Sequence, residues 1–121
     1  MKREILYRGK RLDNGEWREG YYMALHCAEE TLHIIVDRHG VYHRVDPATI
    51  GQYTGLVDKN GRKIFEGDIL SLRTGRAHEV NYTAGTFYME GTAIPIQYAN
   101  RLEVVGNIFD NLELLEEGGA V

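Results

Sequence analysis

A mainly β fold with little helix is what this sequence predicts, and three observations support it. The chain of 121 residues contains 14 glycines and only two prolines, and the glycines fall between short runs rich in Val, Ile and Tyr. Asn-Gly pairs, the strongest short-range hairpin signal, occur at residues 14–15 and 60–61. The length suits one domain or two small subdomains. We therefore predict antiparallel hairpins in residues 1–64, followed by a small SH3-like barrel in residues 65–121 with an acidic tail.

The first predicted hairpin spans residues 4–25 and turns at Asn14-Gly15. A type I′ turn needs positive φ at both central residues, which Asn and Gly tolerate best. This turn places Leu12 opposite Trp17 on a half-buried face. That face also carries Leu6, Tyr21, Met23 and Leu25.

The second predicted hairpin spans residues 31–45 and turns at residues 37–40. An even-length loop sorts its side chains into two faces, and a shift of one residue would destroy the sorting. One face carries Leu32, Ile34, Val36, Val41, His43 and Val45, and the other carries His33, Tyr42 and Arg44.

The remaining elements are read from turn signals. Asp46 followed by Pro47 indicates a short turn or a single helical turn. Asn60-Gly61 indicates a second type I′ hairpin. A meander of five short strands then follows at residues 69–72, 79–82, 86–89, 94–98 and 103–109. Pro95 indicates that its strand lies at an edge or starts late, and residues 111–117 are expected to form a short helical turn.

The charge distribution disfavours a protein bound mainly through phosphate contacts. Of the net charge of −4, residues 102–121 contribute −5, from five acidic and no basic residues. Residues 1–101 contribute +1, from 14 basic and 13 acidic residues. Cys27 is the single cysteine, so an intrachain disulfide is excluded and a reducing cytoplasm is expected. No apolar run approaches the roughly 18 residues of a membrane span, so no membrane is expected as a partner.

The sequence resembles the YopX-like family, which is found in bacteriophages and prophage regions. The residues that carry this resemblance begin with Thr49-Ile-Gly-Gln-Tyr-Thr-Gly-Leu-Val-Asp-Lys-Asn-Gly-Arg-Lys-Ile-Phe-Glu-Gly-Asp-Ile69. Glu103-Val-Val-Gly-Asn-Ile-Phe-Asp-Asn111 and, near the start, Arg8-Gly9 with Gly15-Glu16-Trp17 also fit the family. Leu112 departs from the proline that is frequent in the family. The resemblance implies a β-rich fold in two parts with a small C-terminal barrel, and it implies no activity.

No catalytic, metal or cofactor site stands out from the sequence. Gly61 follows Asp58 too soon for a calcium loop of the EF-hand type. His39 and His43 are four residues apart, but the β pattern denies them a shared helix face, and we interpret His43 as a hydrogen-bonded core residue. Cys27 and Ser71, the candidate nucleophiles, lie in no strand-turn-helix elbow. We expect a protein that is not an enzyme and needs no cofactor.

Two binding functions remain. A small β-rich chain has exposed strand edges that must be covered, charged or paired, which favours a homo-oligomer or a host or phage protein as partner. The alternative is a single-stranded nucleic-acid-binding module that uses the C-terminal barrel. The candidate binding surface combines basic and aromatic residues: Lys59, Arg62, Lys63, Arg73, Arg76, Tyr82, Phe87 and Tyr88.

Overall fold

A computed structural model describes residues 5–71 and 75–115. Strands account for 53% of the structure and helix for 11%, which confirms the mainly β prediction. Both sheets are antiparallel, with strand orders β4-β3-β2-β1-β5-β6 and β10-β7-β8-β9. The strands are β1 (Tyr7–Lys10), β2 (Trp17–Cys27), β3 (Glu30–Val36), β4 (Tyr42–Arg44), β5 (Gly51–Val57), β6 (Lys63–Phe65), β7 (Asp68–Ser71), β8 (Ala77–Thr83), β9 (Thr86–Met89) and β10 (Glu103–Asn107).

The chain forms two compact units, Met1–Tyr53 and Thr54–Val121, and β5 contributes residues to each of them. The predicted boundary between residues 64 and 65 follows from the turn and strand patterns of the sequence, and it stays a prediction. Ile64 lies in the apolar core of the second unit, together with Leu70 and Val80.

The hairpin of β1 and β2 forms, with a turn that differs from the expected one. Trp17 pairs with Lys10 instead of Leu12, an even shift that keeps the same side chains on each face. Gly15 has a φ of +72°, whereas Asn14 keeps a negative φ and accepts a hydrogen bond from the Glu16 amide. The type I′ prediction is therefore wrong here, because the Asn14 side chain stabilises a longer loop.

The β2–β3 hairpin was not predicted. β2 continues without interruption to Cys27, which pairs with Glu30 across a two-residue turn. Ala28 in this turn has a φ of +53°, a conformation that side chains rarely adopt. No Gly or Asn marks the position, so the turn lacks the residues by which sequence patterns identify such reversals.

The β3–β4 hairpin forms with a register one residue away from the predicted one. His43 pairs with Ile35, so the two share a face, and the predicted grouping of His43 with Ile34 is wrong. The cause is Asp37, which closes a three-residue loop. Its backbone N–H donates to the Val41 carbonyl at 2.9 Å, and its Oδ1 accepts from the Val41 amide at 3.0 Å.

After β4 the chain returns to the end of β1. The Leu12 amide donates to the Arg44 carbonyl at 3.0 Å, and the Asp46 amide donates to the Lys10 carbonyl at 2.8 Å. Val45 is buried at this junction, where it pairs with Arg11. The predicted helical turn after Asp46 is confirmed as a 3-10 helix at Pro47–Thr49, capped by the Asp46 side chain.

The second unit is built on the sheet β10-β7-β8-β9, whose apolar side chains form a core. The fully buried members include Leu70, Val80 and Ala99. The predicted strand at residues 94–98 is wrong, because the chain forms a 3-10 helix at Ile96–Arg101 and buries Ala99. The sheet has four strands and does not close into a barrel over the described residues. A helical turn is present at residues 113–115, and residues 116–117 of the predicted turn lie outside the described ranges.

Candidate functional site

The basic residues of the predicted binding surface lie in two places. Lys59 and Arg62 are exposed on the turn between β5 and β6, and Lys63 is exposed at the start of β6. Lys59 lies 3.8 Å from the Glu103 carboxylate, a surface ion pair that contributes little to stability. Arg76 is exposed immediately before β8, and Arg73 lies outside the described residues.

The three aromatic residues of that surface are divided between two faces. Tyr82 on β8 lies directly opposite Phe87 on β9, with ring centroids 4.8 Å apart and ring planes tilted by 58°. Tyr88 follows Phe87 in the same strand, and successive side chains of a strand point to opposite faces. Only Tyr82 and Phe87 therefore form a joint aromatic surface.

Tyr88 lies in acidic surroundings. Its hydroxyl donates to Glu90 Oε2 at 3.0 Å, and Asn81 Nδ2 donates to the same oxygen at 2.7 Å. The hydrogen bond to Glu90, followed by burial, raises the pKa of Tyr88. Burial and then the charge of Glu90 raise the pKa of Glu79 on β8. Negative charge of this density repels a phosphate, so this face is unsuited to nucleic acid.

Arg76 lines a groove of about 310 Å³ together with His78, Glu90 and neighbouring residues. His78 Nδ1 contacts the Glu90 carbonyl oxygen at 2.8 Å. Its Nε2 is buried and has no hydrogen-bond partner among the described residues. Glu79 also lines the groove. Two carboxylates therefore offset the single guanidinium, and the groove has no excess of positive charge.

The outer edge of β9 carries unpaired backbone groups. Thr83 pairs with Thr86 across a two-residue turn, and the Glu90 amide donates to the Glu79 carbonyl at 2.8 Å. Because hydrogen bonding alternates along an antiparallel pair, the N–H and C=O groups of Phe87 and Met89 point away from β8. They bond to no other residue in the described ranges. β9 is also the last strand of its sheet, but Met89 is only 2% exposed, so its outer edge is available to a further strand only at Thr86 and Phe87.

A second cleft, which the sequence analysis missed, lies in the first unit. It has a volume of about 390 Å³ and is lined by Arg11, Leu12, Asp13, Tyr42, His43 and Arg44. These residues come from the loop after β1 and from β4, which the return of the chain after β4 brings together. The residues are far apart in the sequence, so the only available signal was a polar His43 in an apolar strand pattern.

His43 is held in one orientation by Asp37. The imidazole is buried, and its Nε2 lies 2.8 Å from Asp37 Oδ2. This confirms the interpretation of His43 as a hydrogen-bonded core residue. The hydrogen bond from His43, followed by that from the Val41 amide, lowers the pKa of Asp37 to about 2. An ionised carboxylate can only accept, so the shared proton resides on His43 Nε2.

The remaining sequence candidates are scattered over the structure. Cys27 is exposed at the end of β2, and Ser71 is the last residue of β7. In the described ranges, no three His, Cys, Asp or Glu side chains lie close enough to share a metal ion. None of the helices there has the length and apolar character needed to cross a membrane.

Comparison with known proteins identifies a family for this chain. No curated protein matches it. Among solved structures, the chain is similar to the crystal structure of protein EF1440 from Enterococcus faecalis, with a TM-score of 0.62 and 27% sequence identity. The similarity covers 94% of this chain and 99% of that one. The model of the YopX protein family matches residues 6–116. The chain therefore belongs to the YopX family.

Proposed function

We propose that this protein is a phage or prophage accessory protein that acts in the bacterial cytoplasm by association with another chain, and not by catalysis. The partner is a second copy of the same chain, which pairs with the outer edge of β9. The observation that carries the proposal is the unpaired edge at Phe87, next to the exposed Thr86.

The residues around this edge favour pairing with another strand. An exposed edge is usually protected by a charged side chain, a proline or a bulge. The segment from Thr86 to Met89 contains none of these, and its pairing with β8 is regular. The ring contact of Tyr82 and Phe87 adds apolar surface beside the edge, with Tyr82 45% exposed. Two copies related by a twofold axis would place each Phe87 beside the other β9.

The test is the oligomeric state of the full chain, measured by light scattering after size exclusion. We expect a dimer for the wild type and a monomer for Phe87→Lys, which introduces a charge at the edge. The matched control is Tyr21→Lys, because Tyr21 is 69% exposed on β2 in the first unit. A wild-type monomer throughout the micromolar range would refute the proposal.

A second measurement uses the wild type alone, so its result does not depend on whether the Phe87→Lys variant folds. Amide exchange of Phe87 should slow when the protein concentration is raised, because pairing gives its amide an acceptor. Exchange at Phe87 that is independent of concentration would contradict an interface at β9.

The SH3-like character of the second unit also belongs to this proposal. In its four-stranded sheet the last strand, β10, lies beside the first, β7, and a 3-10 helix precedes β10, which supports the assignment. SH3-like barrels commonly serve as interaction modules, although fold alone does not determine function. If the protein is a monomer and captures a host or phage protein through β9, that protein is the partner in place of a second copy.

Single-stranded nucleic acid is the second candidate partner, favoured by the joint surface of Tyr82 and Phe87. The test is binding of a single-stranded oligonucleotide at about 50 mM salt. Neutralising Arg62, Lys63 and Arg76 to Gln should abolish that binding if the second unit holds the strand. Unchanged affinity in the triple variant would exclude this surface.

A further inference from the structure

The cleft of the first unit opens where backbone pairing stops. The hydrogen bonds from Asp46 to Lys10 and from Leu12 to Arg44 join β4 to the end of β1. The cleft of about 390 Å³ lies on the other side of Arg44, between residues 42–44 of β4 and residues 11–13 of the loop after β1. This volume falls in the range of roughly 300–1,000 Å³ that is typical of small-molecule sites.

The apolar lining of the cleft consists of two exposed side chains. Tyr42 is 62% exposed and Leu12 is 56% exposed. In contrast to Tyr22, which stacks on His33, Tyr42 makes no ring contact with a described residue. An exposed tyrosine face is a platform on which a nucleobase can stack, and such stacking does not depend on the identity of the base.

The cationic lining consists of two arginines that retain donors for a ligand. Arg11 pairs with Asp13 at 2.5 Å, and Arg44 pairs with Glu30 at 3.0 Å. Arg44 and Glu30 are both more than half exposed, so their ion pair is weak and Arg44 can exchange its carboxylate for a ligand anion. Arg11 is 28% exposed and donates to both oxygens of Asp13, so it binds a ligand anion with its remaining donors. Each guanidinium has five N–H donors, more than its carboxylate partner accepts.

His43 lies on the other face of β4. Successive side chains of a strand point to opposite faces, so Tyr42 and Arg44 share the exposed face of β4 and His43 points to the buried face. Its Nε2 contacts Asp37 Oδ2, which holds the imidazole away from a ligand on the exposed face.

We propose that this cleft binds a nucleoside phosphate. The base stacks on Tyr42, and the phosphate bonds to Arg44 and Arg11. The source of this chemistry is either a free nucleotide or a nucleotide within a single strand. The proposal does not depend on association through β9, because every group that it uses belongs to the first unit.

The test is a titration of the full chain with adenosine 5′-monophosphate, inorganic phosphate and a short single-stranded oligoadenylate. Binding is followed by amide shifts of residues 11–13 and 42–44. We expect the mononucleotide to bind at least tenfold more tightly than phosphate, because stacking contributes beyond the anion contact. A preference for the oligonucleotide per nucleotide would identify the strand as the source, and equal affinity would identify the free nucleotide.

Matched variants localise the site. Tyr42→Leu should weaken mononucleotide binding about tenfold, and Arg44→Gln should weaken it several-fold. Tyr21→Leu and Arg38→Gln remove an exposed tyrosine and an exposed arginine of the same sheet outside the cleft, and should leave the affinity unchanged. Three outcomes overturn the proposal: no binding at about 1 mM of either nucleotide, phosphate binding as tightly as the mononucleotide, or loss of affinity that the two controls share.

Discussion

Asp37 and Asp58 perform the same structural task at two separate turns. In each case Oδ1 accepts hydrogen bonds from the backbone amides two and four residues later, at 2.8–3.0 Å. A glycine with positive φ, Gly40 or Gly61, precedes the last of these amides. The free oxygen then reaches a distant partner, which is His43 for Asp37 and the Val104 amide for Asp58. A single carboxylate therefore fixes both a turn and a contact beyond it.

Lowering the pH should reveal how much the ionised Asp37 carboxylate contributes to the stability of the fold. Its pKa is about 2 in the folded protein, against an ordinary value of 3.8. A group with a lowered folded-state pKa stabilises the protein fully above the unfolded pKa, and this stability is lost as pH falls through the folded pKa. The difference in urea midpoint between wild type and Asp37→Asn should therefore shrink between about pH 4 and pH 2.

The control for this prediction is Glu29→Gln, which removes a carboxylate from the exposed turn between β2 and β3. Its urea midpoint should follow that of the wild type at every pH. A difference between wild type and Asp37→Asn that stays constant with pH would show that ionisation of Asp37 contributes nothing.

Gly20 is required by steric contact and not by its φ value. A Cβ at this position would overlap the carbonyl oxygen of Val36, a backbone atom that cannot move aside cheaply. We expect Gly20→Ala to destabilise the protein by about 3 kcal/mol. Gly15→Ala is the control: φ is +72° and no atom lies within 4 Å of the added Cβ, so the cost should be about 1 kcal/mol. Equal effects of the two variants in chemical denaturation would contradict this assignment.

At the scale of elements, Asp58 connects the β5–β6 turn to β10. The side chain is buried, and Oδ2 accepts from the Val104 amide at 2.9 Å. Burial raises the pKa of Asp58, but the backbone hydrogen bonds from Val104, Arg62 and Asn60 outweigh it and the net shift is downward. In Asp58→Asn, only one oxygen remains. If it accepts from the turn amides, the NH₂ group faces the Val104 amide; if it accepts from Val104, the NH₂ group faces the turn amides.

The expected cost of Asp58→Asn is about 1–3 kcal/mol, the penalty for one unsatisfied buried donor. Amide exchange at Val104 should accelerate more than exchange in β8, because the hydrogen bond to Val104 is the one that is lost. Uniform acceleration across the second sheet would show that Asp58 stabilises the whole unit without a specific link to β10.

The elements also show how far sequence patterns extend. Glycine and alternation correctly predicted a mainly β chain, the three hairpins that turn at Gly15, Gly40 and Gly61, and the 3-10 turn after Asp46. The type I′ prediction is wrong at Asn60-Gly61 as well, because Asn60 keeps a negative φ. The register of β3–β4 could not be predicted, because it depends on two side-chain hydrogen bonds of Asp37. The strand expected at residues 94–98 does not form, because a 3-10 helix begins at Ile96 and buries Ala99, while Tyr98 stays 47% exposed. The cleft at Tyr42 forms because the chain after β4 comes back to the end of β1, and no local sequence pattern predicts a contact between these segments.

For the whole molecule, net charge determines how salt acts on self-association. Each copy carries a charge of −4, so two copies repel one another at low ionic strength. Pairing through β9 uses backbone hydrogen bonds and the ring of Phe87, neither of which salt screens strongly. Raising the salt from about 50 to about 500 mM should therefore strengthen association two- to fivefold, by shortening the Debye length. Sedimentation velocity at the two salt concentrations measures this effect. Weaker association at high salt would instead indicate an interface of opposite charges, and β9 contains no charged residue that could form one.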